Sequence, residues 1–241
     1  MNAEARSVLG SGAMFDAIAP VYDRLNLILS FGLDRRWRRA TVDALRLPEE
    51  GRVLDLATGT GDLAIEIARS RPRIQVTGLD ASPRMLELAG IKIARAQLSD
   101  RIALEIGDAV KLPYADDTFE AATIAFGIRN VPDRLAALKE LVRVVRPTGR
   151  IAILELGDPR SKLIGAAARL YIHAIVPRIG ALFARAPEYR YLERSIAAFP
   201  PPHEFERLME EAGMEALKRR SFAFGSAVLF VGEVAADGSR S

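Results

Sequence analysis

The sequence predicts an α/β fold built around a mostly parallel sheet. Three observations carry that prediction: short apolar runs alternate with longer amphipathic ones from Arg52 onward, a glycine turn directly follows the first apolar run, and proline and glycine stops separate the periodic segments.

Taken in order, residues 14 to 47 place Phe15, Ile18, Tyr22, Leu25 and Leu29 at helical spacing, interrupted by Pro20 and Gly32, and predict short helices. Strands are predicted near 52–56, 74–79, 102–106, 120–126 and 150–156, with helices near 61–70, 83–97 and 133–146. Ser82-Pro83 is a helix start with proline in the first turn, and Pro147 with Gly149 reads as the stop before the fifth strand. A helix over 203–211 ends at Gly213, and two closing strands lie near 217–223 and 227–234. The chain then divides into an N-terminal helical cap (1–48), a cofactor-binding core (49–160), a helical insertion (161–200) and a C-terminal part that completes the sheet and ends in a tail (201–241). All four belong to one structural domain.

Composition narrows the chemistry. With 241 residues, 49% of them hydrophobic, the chain can bury a sizeable core. Lysine and arginine exceed aspartate and glutamate by only 34 to 31, an excess too mild to argue for nucleic acid. The absence of cysteine excludes disulfides, thiolate catalysis and cysteine-bound metal, and two histidines, His173 and His203, leave little for a metal site. No signal pattern opens the chain, and no uncharged apolar run is long enough to cross a membrane. A cytoplasmic protein is expected, with peripheral membrane contact and homodimer formation left open.

The run Val53-Leu-Asp-Leu-Ala-Thr-Gly-Thr-Gly-Asp62 sets a glycine turn between a strand and a helix, where backbone N–H groups can approach a ligand. Asp80 follows Gly59 by 21 residues, the spacing at which a carboxylate accepts from both hydroxyls of a ribose; its other reading is a helix cap, a task for which Ser82 competes. Asp108, in Gly107-Asp108-Ala109, can accept from an adenine amino group or can simply close a turn. A dinucleotide would satisfy the first two features equally. Asp55 and Asp62, however, put carboxylates beside the turn, which suits the ammonium end of S-adenosylmethionine and repels a pyrophosphate, although Asp55 can also tie the turn down. Thr58, Gly59, Thr60 and Gly61 complete this cofactor set.

Five further stretches are distinctive: Met14-Phe-Asp-Ala-Ile-Ala-Pro-Val-Tyr-Asp-Arg-Leu-Asn26, Leu29-Ser-Phe-Gly32 with Trp37-Arg-Arg39, Asp55 to Leu63, Phe126-Gly-Ile-Arg-Asn-Val131, and Tyr191-Leu-x-x-Ser-Ile196 before Phe199-Pro200. In that order they resemble the ubiquinone and menaquinone biosynthesis C-methyltransferases, within the class I methyltransferases of Rossmann-like fold. The resemblance implies a seven-stranded sheet with the last strand antiparallel, and methyl transfer from S-adenosylmethionine to a prenylated quinol. It carries cofactor contacts onto Thr60, Asp80, Asp108, Ala109 and position 125. Two departures stand out: Ala125, where relatives often have serine, and Phe230, where they often have histidine.

Methylating carbon needs an electron-rich ring atom aligned with the donor methyl, and the protein's main task is to dock, orient and dehydrate the pair. Arg129 and Asn130, just after the fourth strand, are the candidates to hold quinol oxygens, since ligands of open α/β sheets bind at the carboxyl ends of strands. Arg129 is not a general base, because its pKa lies above about 12. Asp16 and Asp23 in the cap can accept the ring proton or close over the cofactor, and Tyr22 can shape an aromatic pocket; helix caps and a core tyrosine are the competing readings. The arginine-dotted apolar stretch 162–186 fits either contact with lipid or an ordinary packed helix pair.

Overall fold

The computed structural model describes residues 32–157 and 194–236, together with Asp16, Ala19 and Ser30. Tyr22, Asp23, His173 and nearly all of the predicted insertion lie outside the described residues.

Five parallel strands alternate with helices as the sequence pattern requires: β1 (Glu50–Leu56), α2 (Asp62–Ser70), β2 (Arg73–Asp80), α3 (Pro83–Arg95), β3 (Ile102–Ile106), β4 (Phe119–Ala125), α4 (Arg134–Val144) and β5 (Val145–Leu156). Ahead of them runs α1 (Asp34–Leu45), and behind them α5 (Pro202–Glu211), β6 (Met214–Phe222) and β7 (Ala227–Val234). The seven strands lie in the order β3-β2-β1-β4-β5-β7-β6, and β7 runs antiparallel to both of its neighbours. Strand order reverses between β1 and β4, so a crevice opens at their carboxyl ends.

Each face of the sheet carries its own core. On one side Trp37, Val42, Ile67 and Leu229 pack beneath α1, α2 and α3, and on the other Leu138, Leu141, Phe205 and Phe230 pack beneath α4 and α5. Trp37, 5% exposed, has its ring between those of Phe126 (6.4 Å) and Phe222 (6.2 Å), which fixes α1 against the sheet.

Two boundaries differ from expectation: β6 begins at Met214 rather than near 217, and β5 begins well ahead of 150. Pro147 and Gly149 do not precede the fifth strand but lie inside it: β5 begins at Val145 opposite Phe119, slips register, and resumes with Arg150 opposite Ala121. Proline has no N–H for the ladder, so the strand bulges there, with Thr148 at φ 63, and then continues. A local stop signal thus became an irregularity within a longer element.

Candidate active site

Successive strand ends build one edge of the molecule. After β1 the chain turns through Ala57 and the left-handed Gly59 (φ 56) and Gly61 (φ 82) before α2 begins. A side chain at Gly61 would be strained by that backbone and would press on Ala89, 3.2 Å from its Cβ. The turn is tied on both sides. Thr58 N–H donates to the Leu79 carbonyl of β2 (3.1 Å), and the Thr58 and Thr123 hydroxyls donate to the carboxylate of Asp55 at 2.7 and 2.8 Å. Asp55 is 1% exposed, and burial pushes its carboxyl up to about 6 against the lowering effect of those donors. Its two oxygens therefore tie the turn to β4, the anchoring role anticipated for it.

Asp80, at the end of β2, faces the turn. Its Oδ2 accepts from Gly59 N–H (2.8 Å) and its Oδ1 from Ser82 N–H (2.9 Å), while burial, with Asp16 adding like charge, raises its carboxyl above the usual range. Ser82, not Asp80, caps α3, accepting from Met85 N–H at 3.1 Å. The Asp80 carboxylate thus sits between the glycine turn and the start of α3, held by backbone donors, with acceptor capacity remaining for hydroxyl groups. Asp16 lies alongside: its Oδ1 accepts from the Ser82 hydroxyl and from Arg84 N–H (3.1 Å), which places this carboxylate at the N-terminus of α3.

Other predicted residues fall at the same edge with different surroundings. Thr60 is buried, and its hydroxyl accepts from Lys92 Nζ at 3.0 Å. Lys92 also pairs with Asp62, and Arg38 approaches the same carboxylate at 3.7 Å, so the charge expected to meet a ligand ammonium already has protein partners. Asp108 is exposed, accepts from Val110 N–H (3.1 Å) and bridges to Lys111, which gives it the geometry of a turn, with Ala109 half-buried beside it. Ala125 is the half-buried last residue of β4.

Arg129 turns inward. In the helical turn Ile128–Asn130 its Nη1 pairs with Glu155 at 2.7 Å and also meets the Phe126 carbonyl, while its backbone N–H donates to the same glutamate at 3.1 Å. Glu155 is fully buried and the Arg129 side chain is 6% exposed. Asn130 Nδ2 shares the Phe126 carbonyl at 3.4 Å. The pair expected to present donors to a substrate is thus occupied in holding the loop after β4 onto β5, though Arg129 Nε, buried, has no hydrogen-bond partner.

Sequence reasoning missed four side chains of this edge. Glu155 interrupts the apolar run Ile151 to Leu156, and that break was a usable signal. Arg38 bridges Asp34 and Asp62 and lies 5.7 Å from the Phe126 ring centroid; Lys92 reaches the turn from α3; Ile106, at the end of β3, is 65% exposed. Beyond β5, an apolar cavity of about 180 Å³ is lined in part by Leu156, Ile196, Phe199, Val228 and Phe230. Among the described residues there is no cluster of metal-ligating side chains and no helix long and apolar enough to cross a membrane.

Comparison with known proteins decides the family. The model of the ubiE/COQ5 methyltransferase family matches residues 3–233. The chain belongs to that family. Among ubiE/COQ5 methyltransferases it is 47% identical to the ubiquinone/menaquinone biosynthesis C-methyltransferase UbiE of Geobacter sulfurreducens, covering 91% of this chain and 86% of that one. It is 46% identical to the demethylmenaquinone methyltransferase of Deinococcus radiodurans, covering 91% and 90%. A solved Methanococcus maripaludis structure, described as an S-adenosyl-L-methionine-dependent methyltransferase, superimposes with a TM-score of 0.68 at 19% identity over 92% of this chain and 94% of that one, a likeness of fold. As a ubiE/COQ5 family member the chain is a methyltransferase, with the seven-stranded sheet and antiparallel last strand that the resemblance implied.

Proposed function

We propose that this methyltransferase moves a methyl group from S-adenosylmethionine to a ring carbon of a prenylated quinol, a demethylmenaquinol or an ubiquinol precursor. The observation that carries the reading is the near-full-length identity, 47% and 46%, to relatives named for quinone C-methylation. The carboxyl edge supports it. Asp80, oriented by Gly59 N–H and Ser82 N–H, is a carboxylate suited to a ribose diol. Exposed Ile106 offers an apolar face to an adenine, and Asp108 and Ala109 lie just beyond it. When bound, S-adenosylmethionine supplies an electrophilic methyl on a sulfonium.

The protein's own work is placement and dehydration. Asp55, Thr58 and Thr123 keep the glycine turn rigid, so its N–H groups need no rearrangement on binding. Asp16, bonded to the Ser82 hydroxyl and to Arg84 N–H at the start of α3, adds a second carboxylate beside Asp80. The Arg129–Glu155 pair fixes the loop after β4 on the substrate side, and the cavity lined by Phe199 and Phe230 offers apolar surface to ring or prenyl tail. Transfer makes a carbon–carbon bond, breaks the sulfur–methyl bond, and releases the ring proton to water or a carboxylate at the open edge.

The test supplies methyl-labelled S-adenosylmethionine with demethylated benzoquinols and naphthoquinols, reduced and oxidised. Label is expected in a reduced acceptor and absent from its quinone. Failure of every reduced acceptor to take label overturns the proposal.

A further inference from the structure

On the α1 side of the sheet, the strands nearest the β6 edge form the floor of a groove of about 560 Å³. Its lining comes from α1, β6 and β7, with Arg150 of β5. Along α1, Arg36, Arg39 and Asp43 recur at helical spacing and make one wall, continued by Arg46 just past the end of the helix. Along β6, past an irregularity at Ala216 (φ 50), Lys218 and Arg220 alternate and so share one face of the strand, and beside them on that face lie their β7 partners Val231 and Leu229. The result is a basic rim over an apolar floor.

The charge is concentrated there. Seven cationic side chains line the groove against two carboxylates, an excess of five, where the whole chain carries only +3. Some are neutralised inside the protein: Arg39 by Glu66, Arg150 by Glu233 and Arg219 by Glu206. Arg36, Arg46 and Lys218 have no carboxylate partner among the described residues, and Arg220 meets only the Phe222 ring, at 4.9 Å. Basic residues on an edge strand can serve merely to discourage strand pairing. That function needs them on β6 alone, whereas of the three cations without a carboxylate Arg36 stands on α1 and Arg46 just past its end.

At one end of β6 the turn Ala223–Gly225 carries Phe224, 67% exposed and at φ 60, a backbone region unfavourable for a large side chain. This turn lies at the carboxyl edge, because Ala227 pairs with Leu156 at the end of β5.

We propose that the groove and Phe224 form a docking surface for a membrane rich in anionic phospholipid. Phosphate groups meet the basic rim, the first methylenes lie over Leu229 and Val231, and Phe224 enters the acyl layer. Docked so, the Phe224 end of β6, which stands at the carboxyl edge, comes to the lipid. The apolar floor and the phenylalanine beyond the groove distinguish this surface from a nucleic-acid groove, which would place aromatic rings among the cations for bases to stack on.

The experiment is flotation of the full-length protein with phosphatidylcholine vesicles, with and without phosphatidylglycerol, at low and high salt. The vesicles hold no quinone, so the outcome is independent of the methyl-transfer proposal. Wild type is expected to float with anionic vesicles only, and less at high salt. Each lost cation should lower affinity roughly fivefold, so Arg36→Gln, Arg46→Gln and Lys218→Gln combined should lower it about 100-fold, and Phe224→Ser on the order of tenfold. Circular dichroism of the triple variant, unchanged because all three side chains are exposed, separates lost docking from lost folding. Equal flotation with neutral and anionic vesicles, or a folded triple variant that floats like wild type, overturns the proposal. So does RNA binding that the triple variant loses when no vesicle binding is seen.

Discussion

Replacing Glu155 by leucine removes the only carboxylate paired with the Arg129 guanidinium among the described residues, in a place where neither side chain reaches water. Glu155 is fully buried and the Arg129 side chain is 6% exposed, so the cost is that of an uncompensated buried charge, about 3–5 kcal/mol, rather than the small value of a surface pair. For a chain of this size each kcal/mol moves the melting temperature by roughly 2–4 °C, so Glu155→Leu should melt about 6–20 °C below wild type. Combining it with Arg129→Met removes both charges and should restore part of that loss, because two apolar side chains need no counter-charge while the Arg129 and Leu156 N–H groups still lack the carboxylate that accepted from them. Thermal melts and urea titrations of both single variants and the double variant give the coupling energy directly. A Glu155→Leu melting point within about 2 °C of wild type would refute the reasoning, since it would mean the guanidinium is stabilised by something other than this glutamate. The same double variant divides two roles of Arg129: if it folds and retains methyl transfer, the residue positions a loop; if it folds and kcat collapses, the residue also faces the substrate.

Three other outcomes follow. Asp80→Asn should weaken S-adenosylmethionine binding by about 1–3 kcal/mol in calorimetry, because an amide cannot accept from backbone and ribose as a carboxylate does; unchanged affinity removes the ribose assignment. Since burial raises the Asp55 carboxyl to about 6 from an ordinary 3.8, the folded chain binds this proton more tightly than the unfolded one; stability from this group should fall as pH rises from about 4 to 6, by up to about 3 kcal/mol, and a urea-midpoint comparison with Asp55→Asn should show that slope disappear. Phe230→Ala removes a fully buried ring that meets Phe205 edge-on at 5.0 Å, and should cost about 3–5 kcal/mol in denaturant titration; a loss under about 1 kcal/mol would show that the ring is not part of the packed core.

The strand and helix alternation was legible because buried strands and amphipathic helices impose different periods on the same alphabet, and the glycine turn was legible because left-handed backbone restricts which residues can stand there. Asp80 could be placed for the same reason, at a fixed distance along the chain from that turn. Pairings across the sheet were not legible. Arg129 and Glu155 are 26 residues apart, Ser82 and Asp16 are 66, and nothing local states which carboxylate a given donor will find. The Pro147-Thr-Gly149 stretch misled for a related reason: alone it reads as an end, and only pairing with β4 on either side keeps it within a strand. The same limit hid the basic groove, whose walls come from residues 36–46 and 216–220, brought together by the last strands to join the sheet.

That late joining has a consequence for biosynthesis. The outer edge of β5 is covered by β7, which lies about 70 residues further along the chain. A nascent polypeptide that has β5 but still lacks β7 carries a long apolar strand with its hydrogen-bonding groups open, ready to pair with another unfinished copy. Ribosome-bound intermediates in that interval are therefore the species that should need chaperone protection, and the arrival of β7 on the sheet is the event that ends that need.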